Sequence, residues 1–389
     1  MSEIWKKGTV CIQGGYAPKI GEPRILPIFQ STTYKYDDLD QVERLFALKE
    51  TGYKYTRTGN PTLAALELKL TQLEGGVGAI SLASGQAANL LALANLCGAG
   101  DHIVSSSTIY GGTYTLFNHT LKKYNVDVTF IDPEAPEAEI QKAFRPNTKV
   151  LFGETIGNPG VNIVTYSATK YIDGHATSLG GAVIDGGNYD WTNGKFPELT
   201  EPDSTYGNVR YTETFGKAAF ITKARLQFLR DFGACLSPFN AFLINLGIET
   251  LHLRMKQHSS NAYALAKFLS THPKVGWVNY PGLEGNASKE RVDRYFRDGQ
   301  ASGILTFGVK GGINAAKPFV KNLKVASLAV HIGDARTCVL HPGTSSHAQL
   351  NAEQQRSAGI TPDLIRVSVG IEEEEDIIAD FEQALASVK

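Results

Sequence analysis

Between residues 77 and 153 the chain repeats one pattern, and that pattern limits the fold more than anything else in it. Residues 77–82 are an apolar run, Ser84-Gly85-Gln86 is a turn, and residues 87–97 read as a helix of Ala, Leu and Asn stopped by Gly98. Residues 101–104 are the next strand, followed by Tyr110-Gly111-Gly112-Thr113 and a helix through residues 116–123. Strand 126–131, helix 137–144 and strand 149–153 complete the series. Strands that alternate with helices imply a parallel sheet covered on both faces, with ligands at the carboxyl ends of the strands. Each turn named here lies at such an end.

The rest of the chain frames this core. At 389 residues it exceeds what one core usually serves, so two domains are expected. Residues 1–60 carry little periodicity and are punctuated by Gly14-Gly15, Pro18, Gly21, Pro23 and Pro27. They read as an extended arm with one short helix near 42–48, lying on another surface such as a second subunit. Thr62 is placed to cap a helix over 63–73. Residues 61–238 form the large domain, and residues 239–268 are a helical link into a C-terminal domain of 239–389. There the order of strands and helices suits an α+β fold on an antiparallel sheet. Residues 190–211, rich in Trp, Pro, Gly and Asp, read as a long loop.

Thirty-eight Lys and Arg stand against 39 Asp and Glu, so nothing electrostatic draws the chain to nucleic acid or an anionic membrane. No apolar run reaches membrane-spanning length, and Met1-Ser2-Glu3-Ile4-Trp5-Lys6-Lys7 lacks the apolar core of a signal peptide. The four cysteines are far apart, which suits reduced thiols in the cytoplasm. Neither they nor the nine histidines show metal-ligand spacing.

Several residues are placed for chemistry, each with a plainer alternative. Lys170, in Thr165-Tyr166-Ser167-Ala168-Thr169-Lys170, follows a strand end and precedes Gly180-Gly181. It is either a surface lysine on a polar turn or an amine whose proton is loosened by apolar neighbours. Ser84-Gly85-Gln86 is either an ordinary capped turn or, with its free N–H groups and helix dipole, a phosphate cradle. Tyr55 and Arg57 are spaced to point the same way, toward an anion or into a loop ion pair. Tyr110 stacks on a planar ring or simply packs. Asn158 aims at a ligand or caps a turn. Arg366 interrupts the strand pattern Leu364-Ile365-Arg366-Val367 on the face opposite Ile365 and Val367, either solvated or holding an anion.

Taken together these residues resemble the cystathionine γ-synthase-like group of pyridoxal-phosphate enzymes of cysteine and methionine metabolism. The resemblance runs nearly end to end. It is most specific at Tyr55-Thr56-Arg57, Ala83-Ser84-Gly85-Gln86-Ala87-Ala88, Tyr110-Gly111-Gly112-Thr113, Glu154-Thr155-Ile156-Gly157-Asn158-Pro159, Ser167-Ala168-Thr169-Lys170 and Arg366-Val367-Ser368-Val369-Gly370-Ile371-Glu372. It implies an α/β fold of type I (aspartate aminotransferase-like), with a mostly parallel sheet in the large domain and a smaller α+β C-terminal domain. It implies pyridoxal 5'-phosphate (PLP) as cofactor, held covalently by Lys170, which also moves protons. Ser167, Thr169 and the N–H groups of Gly85 and Gln86 would hold the phosphate. Tyr55 and Arg57 would reach that phosphate from a neighbouring subunit of a homo-oligomer, a dimer or dimer of dimers. Tyr110 would stack on the ring. Asn158 and Arg366 would orient the amino-acid substrate, Arg366 pairing with its carboxylate near Thr337. The stretches 190–202 and Ile332-Gly333-Asp334-Ala335-Arg336-Thr337 look like those of the O-acetylhomoserine sulfhydrylase subgroup, which replaces acetate at the γ-carbon with sulfide or a thiol. Cystathionine γ-synthase, O-succinylhomoserine sulfhydrylase and methionine γ-lyase are close alternatives, though the last group carries a cysteine in place of Gly112. A non-catalytic homologue is another.

One departure from the family is large. After Asn158-Pro159, members run through a helix and a buried strand before the lysine motif, and that strand supplies the aspartate that pairs with the pyridine nitrogen. Here Gly160-Val161-Asn162 leads straight into Ile163-Val164, so a unit of roughly forty residues is missing. No residue here replaces that aspartate. Loss of an interior strand would bare apolar edges, so a break in the chain near Asn162–Ile163 is expected in preference to a true deletion.

Overall fold

The computed structural model describes residues 5–154, 162–346, 348, 351–357 and 359–388. They fall into two units, Met1–Thr169 with Ser178–Leu246, and Lys170–Thr177 with Gly247–Lys389.

In the first unit the arm holds two helices, not one: α1 (Lys7–Gln13) and α2 (Leu39–Phe46). Val10 and Cys11 of α1 are buried, and the Gly15 N–H donates to Gln72 Oε1 at 3.2 Å on α3 (Pro61–Glu74). Part of the arm therefore buries itself on its own unit. Asn60, not Thr62, caps α3, because the residue before a proline is held extended and the proline takes the first helical position. Asn60 Oδ1 accepts the Thr62 N–H at 2.9 Å, while the Thr62 hydroxyl turns away to donate to the Pro27 carbonyl at 2.8 Å.

The alternating stretch folds as expected, in two pieces. Strands β1 (Gly78–Leu82), β2 (His102–Ser106), β3 (Asp127–Ile131), β4 (Thr148–Phe152), β5 (Ile163–Ser167) and β6 (Gly181–Asp185) form two sheets of three. The first, in the order β3-β2-β4, is parallel as predicted. The second, β1-β6-β5, is antiparallel throughout, a pairing that strand–helix alternation does not foretell. Helix α4 (Gly85–Ala94) feeds the core of both. Leu93 joins Ile103, Phe117, Leu121 and Val126, while Ala88, Leu91 and Ala92 join Ile80, Leu82 and Val183. Residues 190–211 are not a loose loop. Trp191, Phe196, Leu199 and Tyr211 are buried in the second of these clusters, with Trp191 stacked on Phe220 at 5.4 Å. A buried carboxylate ties α3 to β1: Glu67 Oε1 accepts from the Ser81 N–H and hydroxyl, each at 2.8 Å, and Glu67 Oε2 pairs with Arg225 at 2.6 Å. The Asn162 carbonyl accepts the Gly186 N–H at 2.8 Å just before β5; the expected break near Asn162–Ile163 borders residues 155–161, which lie outside the described residues.

In the second unit β7 (Val275–Asn279), β8 (Ile304–Val309), β9 (Ser327–Leu328), β10 (Cys338–Leu340) and β11 (Leu364–Ser368) form one sheet, ordered β7-β8-β11-β10-β9. All its pairs are antiparallel except β9 with β10. A single apolar cluster joins it to the helices Leu251–Thr271 and Glu374–Ala386, with Phe307, Phe319 and Phe381 in mutual ring contact. The Asp380 carboxylate accepts the N–H groups of Lys324, Val325 and Ala326 at 2.7–3.0 Å, tying the last helix to the segment that leads into β9. No helix among the described residues is long and apolar enough to cross a membrane, and all four cysteines are free.

Candidate active site

In the first unit, polar groups gather where β1 turns into α4. Ser84 is held extended at the N-cap and its hydroxyl accepts the Ala87 N–H at 3.1 Å. The first backbone bond of the helix comes from Ala88, so the N–H groups of Gly85 and Gln86 precede the ladder and carry its positive end. A side chain at position 85 would bring its Cβ within 2.7 Å of Ser167 Cβ and 3.1 Å of its hydroxyl. Glycine is thus required for β5 to bring Ser167 against that turn. Thr169 is buried and its hydroxyl is fully used: it accepts the Gly180 N–H at 3.0 Å and donates to the Gly180 carbonyl at 3.2 Å. It shapes the turn and leaves the open hydroxyl to Ser167.

Tyr110 opens the short helix α5 (Gly111–Thr115), and its N–H donates to Glu154 Oε1 at 2.8 Å. Burial raises the Glu154 carboxyl above its ordinary range, and the Tyr110 amide opposes this. A Cβ at Gly112 would lie 2.5 Å from the Tyr110 ring and 2.6 Å from Gln86 Nε2, so ring, amide and helix start are brought together. A polar chain fixes the three elements: Thr165 of β5 donates to Asn89 Oδ1 at 2.7 Å, and Asn89 Nδ2 donates to Thr113 at 3.2 Å. Asn89 was not singled out in the sequence, since a lone asparagine inside a helix carries no local signal. Tyr55 and Arg57 are exposed, with the guanidinium 5.2 Å above the phenol ring. Arg57 has no ion pair among the described residues. Asn158 lies outside the described residues.

The second unit carries the lysine. Residues 170–177 form a braced turn. The Lys170 carbonyl accepts the Gly174 N–H at 2.8 Å, Arg254 donates to the carbonyls of Tyr171 and Gly247 at 2.9 and 2.6 Å, and buried Asp173 accepts from Thr177. Lys170 itself is half-buried. Burial, and then the positive charge of Arg366, hold its ammonium below the ordinary lysine range. Arg366 sits on β11 between Ile365 and Val367, both fully buried, and faces the other way as the alternation predicts. Among the described residues it has neither a hydrogen bond nor an ion pair, and burial pulls its pKa down. Thr337 is buried and occupied: it donates to Glu372 Oε2 and accepts the Gly370 N–H, each at 2.9 Å. It braces the loop after β11. His331, unremarked in the sequence, has a buried Nε2 without a partner among the described residues, and Lys170 lowers its pKa after burial does.

A phosphate-sized anion suits the first cluster, and an amine poised to lose its proton beside an unpaired guanidinium suits an amino acid. Family comparison agrees. A model of the Cys/Met metabolism PLP-dependent enzymes matches residues 8–164 and 160–386, and the chain belongs to that family. It is 41% identical to an O-acetyl-L-homoserine sulfhydrylase of Leptospira meyeri, covering all of this chain and 98% of that one. It is 41% identical to a homocysteine synthase of Schizosaccharomyces pombe over 97% of both chains. A solved O-acetylhomoserine (thiol)-lyase of Campylobacter jejuni, bearing a pyridoxyl-lysine monophosphate, superposes with a TM-score of 0.93 at 33% identity, covering 98% of this chain. The α/β fold is therefore that of fold-type I PLP enzymes.

The residues present fit PLP in part. In the first unit the α4 N-terminus, Gly85 and Ser167 suit a phosphate such as PLP carries; in the second, the Lys170 amine suits an aldehyde. On the cradle strands β1, β5 and β6, Asp185 is the one carboxylate that could serve the ring nitrogen. Buried Asp185, with an unpartnered Oδ2 and a carboxyl pushed up to about 6, pairs with Ile163, whereas Gly181 pairs with Ser167. It therefore lies at the opposite end of β6, about 13 Å of strand away. The alignment with the Leptospira meyeri protein spans 435 positions against 389 residues here, so at least 46 positions have no counterpart in this chain. The family match falls into two pieces that overlap at residues 160–164, around the start of β5.

Proposed function

We propose that the chain is an O-acetyl-L-homoserine sulfhydrylase, which replaces acetate at the γ-carbon with sulfide or a thiol to give homocysteine or methionine. The observation that carries this reading is Arg366, a partly buried guanidinium without a protein partner among the described residues, on the same unit as an amine of lowered pKa. A guanidinium so placed grips a carboxylate in two-pronged fashion. Lys170 Nζ, whose ammonium is disfavoured by burial and by Arg366, accepts the proton from the substrate α-carbon and returns it later. When bound, PLP supplies the electron-withdrawing ring that makes that α-proton removable. The names of the relatives support acetyl as the acyl group. Exposed Tyr55 and unpaired Arg57 support a homo-oligomer, a dimer of dimers, in which they serve a neighbouring copy. Four free cysteines support a cytoplasmic site of action.

Steady-state rates with O-acetyl- and O-succinylhomoserine, each with sulfide, methanethiol or cysteine, test the reading. The acetyl ester with sulfide should be preferred. Arg366→Lys should raise KM for the ester about 10-fold or more, and Lys170→Ala should abolish turnover and the yellow colour with added PLP. The missing segment favours a non-catalytic homologue as a second reading. A colourless wild-type protein that releases no acetate would establish it.

A further inference from the structure

A cavity in the first unit has no part in the site described above. It opens between residues 197–204 and 223–227 and is lined by Glu198, Glu201, Asp203, Ser204, Lys223 and Gln227. Its volume of about 360 Å³ falls in the range of small-ligand sites, roughly 300–1,000 Å³.

Its inner wall is Lys223, only 4% exposed. Helix Ala219–Lys223 passes there into a π-helical turn, Ala224–Leu229. Such a turn is rare, is often found at functional sites and stacks residues five apart. Lys223 Nζ accordingly rests 4.6 Å over the Phe228 ring. It has neither a hydrogen bond nor an ion pair among the described residues. Burial holds its ammonium below the ordinary lysine range, and Glu198 and Asp203 oppose this. One turn on, Gln227 Oε1 is also buried and has no partner among the described residues. A buried cation and a buried amide oxygen each lose free energy until something pairs with them. The carboxylates of the lining divide in two. Asp203 is spent: Oδ1 accepts the Thr205 N–H at 2.8 Å and its hydroxyl at 2.6 Å, and Oδ2 accepts the Tyr211 hydroxyl at 2.8 Å. Glu198 and Glu201 are exposed at the mouth, with no hydrogen bond or ion pair among the described residues.

A ligand that satisfies these groups brings an anion to Lys223, an N–H donor to Gln227 and a cation to the mouth. Three carboxylates against one ammonium give the lining a net negative charge, so the ligand carries a net positive one. We propose that this cavity binds a free amino acid with a cationic side chain. Its carboxylate pairs with Lys223, its α-ammonium donates to Gln227 Oε1, and its side-chain cation lies between Glu198 and Glu201. The site goes beyond the reaction proposed above and does not rest on it, since none of its residues is assigned there to substrate or PLP.

Titration calorimetry on the natural chain, dialysed free of unbound PLP, tests the proposal with L-lysine as the probe. L-Lysine should bind in one copy per chain. L-Norleucine, which lacks the side-chain ammonium, and cadaverine, which lacks the carboxylate, should each bind about 10-fold or more weakly. No binding of L-lysine, or equal affinities for the three, would overturn the proposal and leave a hydrated cavity. Lys223→Met should weaken L-lysine about 10-fold or more, and Glu198→Gln together with Glu201→Gln should remove its advantage over L-norleucine. L-Lysine binding that survives these changes but falls in Arg366→Lys would put the ligand at the substrate site and refute the proposal. If Lys223→Met does not fold, the comparison of the three probes on the natural chain decides alone.

Discussion

The sheet of the second unit and the two sheets of the first handle their edges in different ways. In the second unit five strands share one core, and the outer strand β9 is only two residues long, too short to template another chain. In the first unit six strands divide into two sheets with two separate apolar clusters, and full-length apolar strands stand at the division. Strand length does not separate these edges, since β7 at the other side of the second sheet is five residues long, as β4 and β5 are; what differs is that one apolar cluster serves the second sheet while separate clusters serve the sheets of the first unit.

Five substitutions can break or sharpen this contrast. Phe307→Ala in the closed core should cost about 3–5 kcal/mol, while Phe152→Ala on β4 should cost about a third of that, because only one side of that strand is packed. Equal shifts in the urea midpoint would mean β4 is as enclosed as β8. Next, each unit has one buried carboxylate as a tie. Glu67→Ala should cost about 3 kcal/mol, since it leaves the Ser81 N–H and hydroxyl without an acceptor and Arg225 without its carboxylate. Asp380→Ala, which frees three backbone N–H groups in the second unit, should cost about 2 kcal/mol. Thermal unfolding of both variants measures the pair. The last effect concerns pH. Asp185 loses its proton near 3.8 when unfolded and near 6 when folded, because burial disfavours its charge. The resulting stability is fully present below about pH 4 and fades as pH rises through 6, on the order of 2 kcal/mol. Asp185→Asn should flatten the stability profile between pH 4 and 6, and an unchanged slope would assign it to other groups.

Much of the first unit was legible because its signals are local. Apolar runs closed by Ser84, Gly98 and Gly153 mark β1, α4 and β4, and the alternation around Arg366 gives its face on β11. What escaped depends on distant partners. The antiparallel pairing of β6 with β1 and β5 is set by chain reversals that leave no mark on β6 itself. The aromatic stretch 190–211 looked like a loop because its rings find their pocket against Phe220, far along the chain. A hydroxyl before an apolar run points to Thr62 as the cap, yet Pro61 at the first helical position makes it Asn60. At the site, Lys170 and the α4 turn were readable as motifs. Asn89 and His331 were not, since each matters only through what stands beside it.

The glycines at the cradle have an evolutionary consequence. A Cβ at Gly181 would run into the Ser84 carbonyl, and one at Gly85 into Ser167. Neither position can drift through alanine without parting β6 and β5 from the start of α4. The cradle is therefore inherited whole or lost whole.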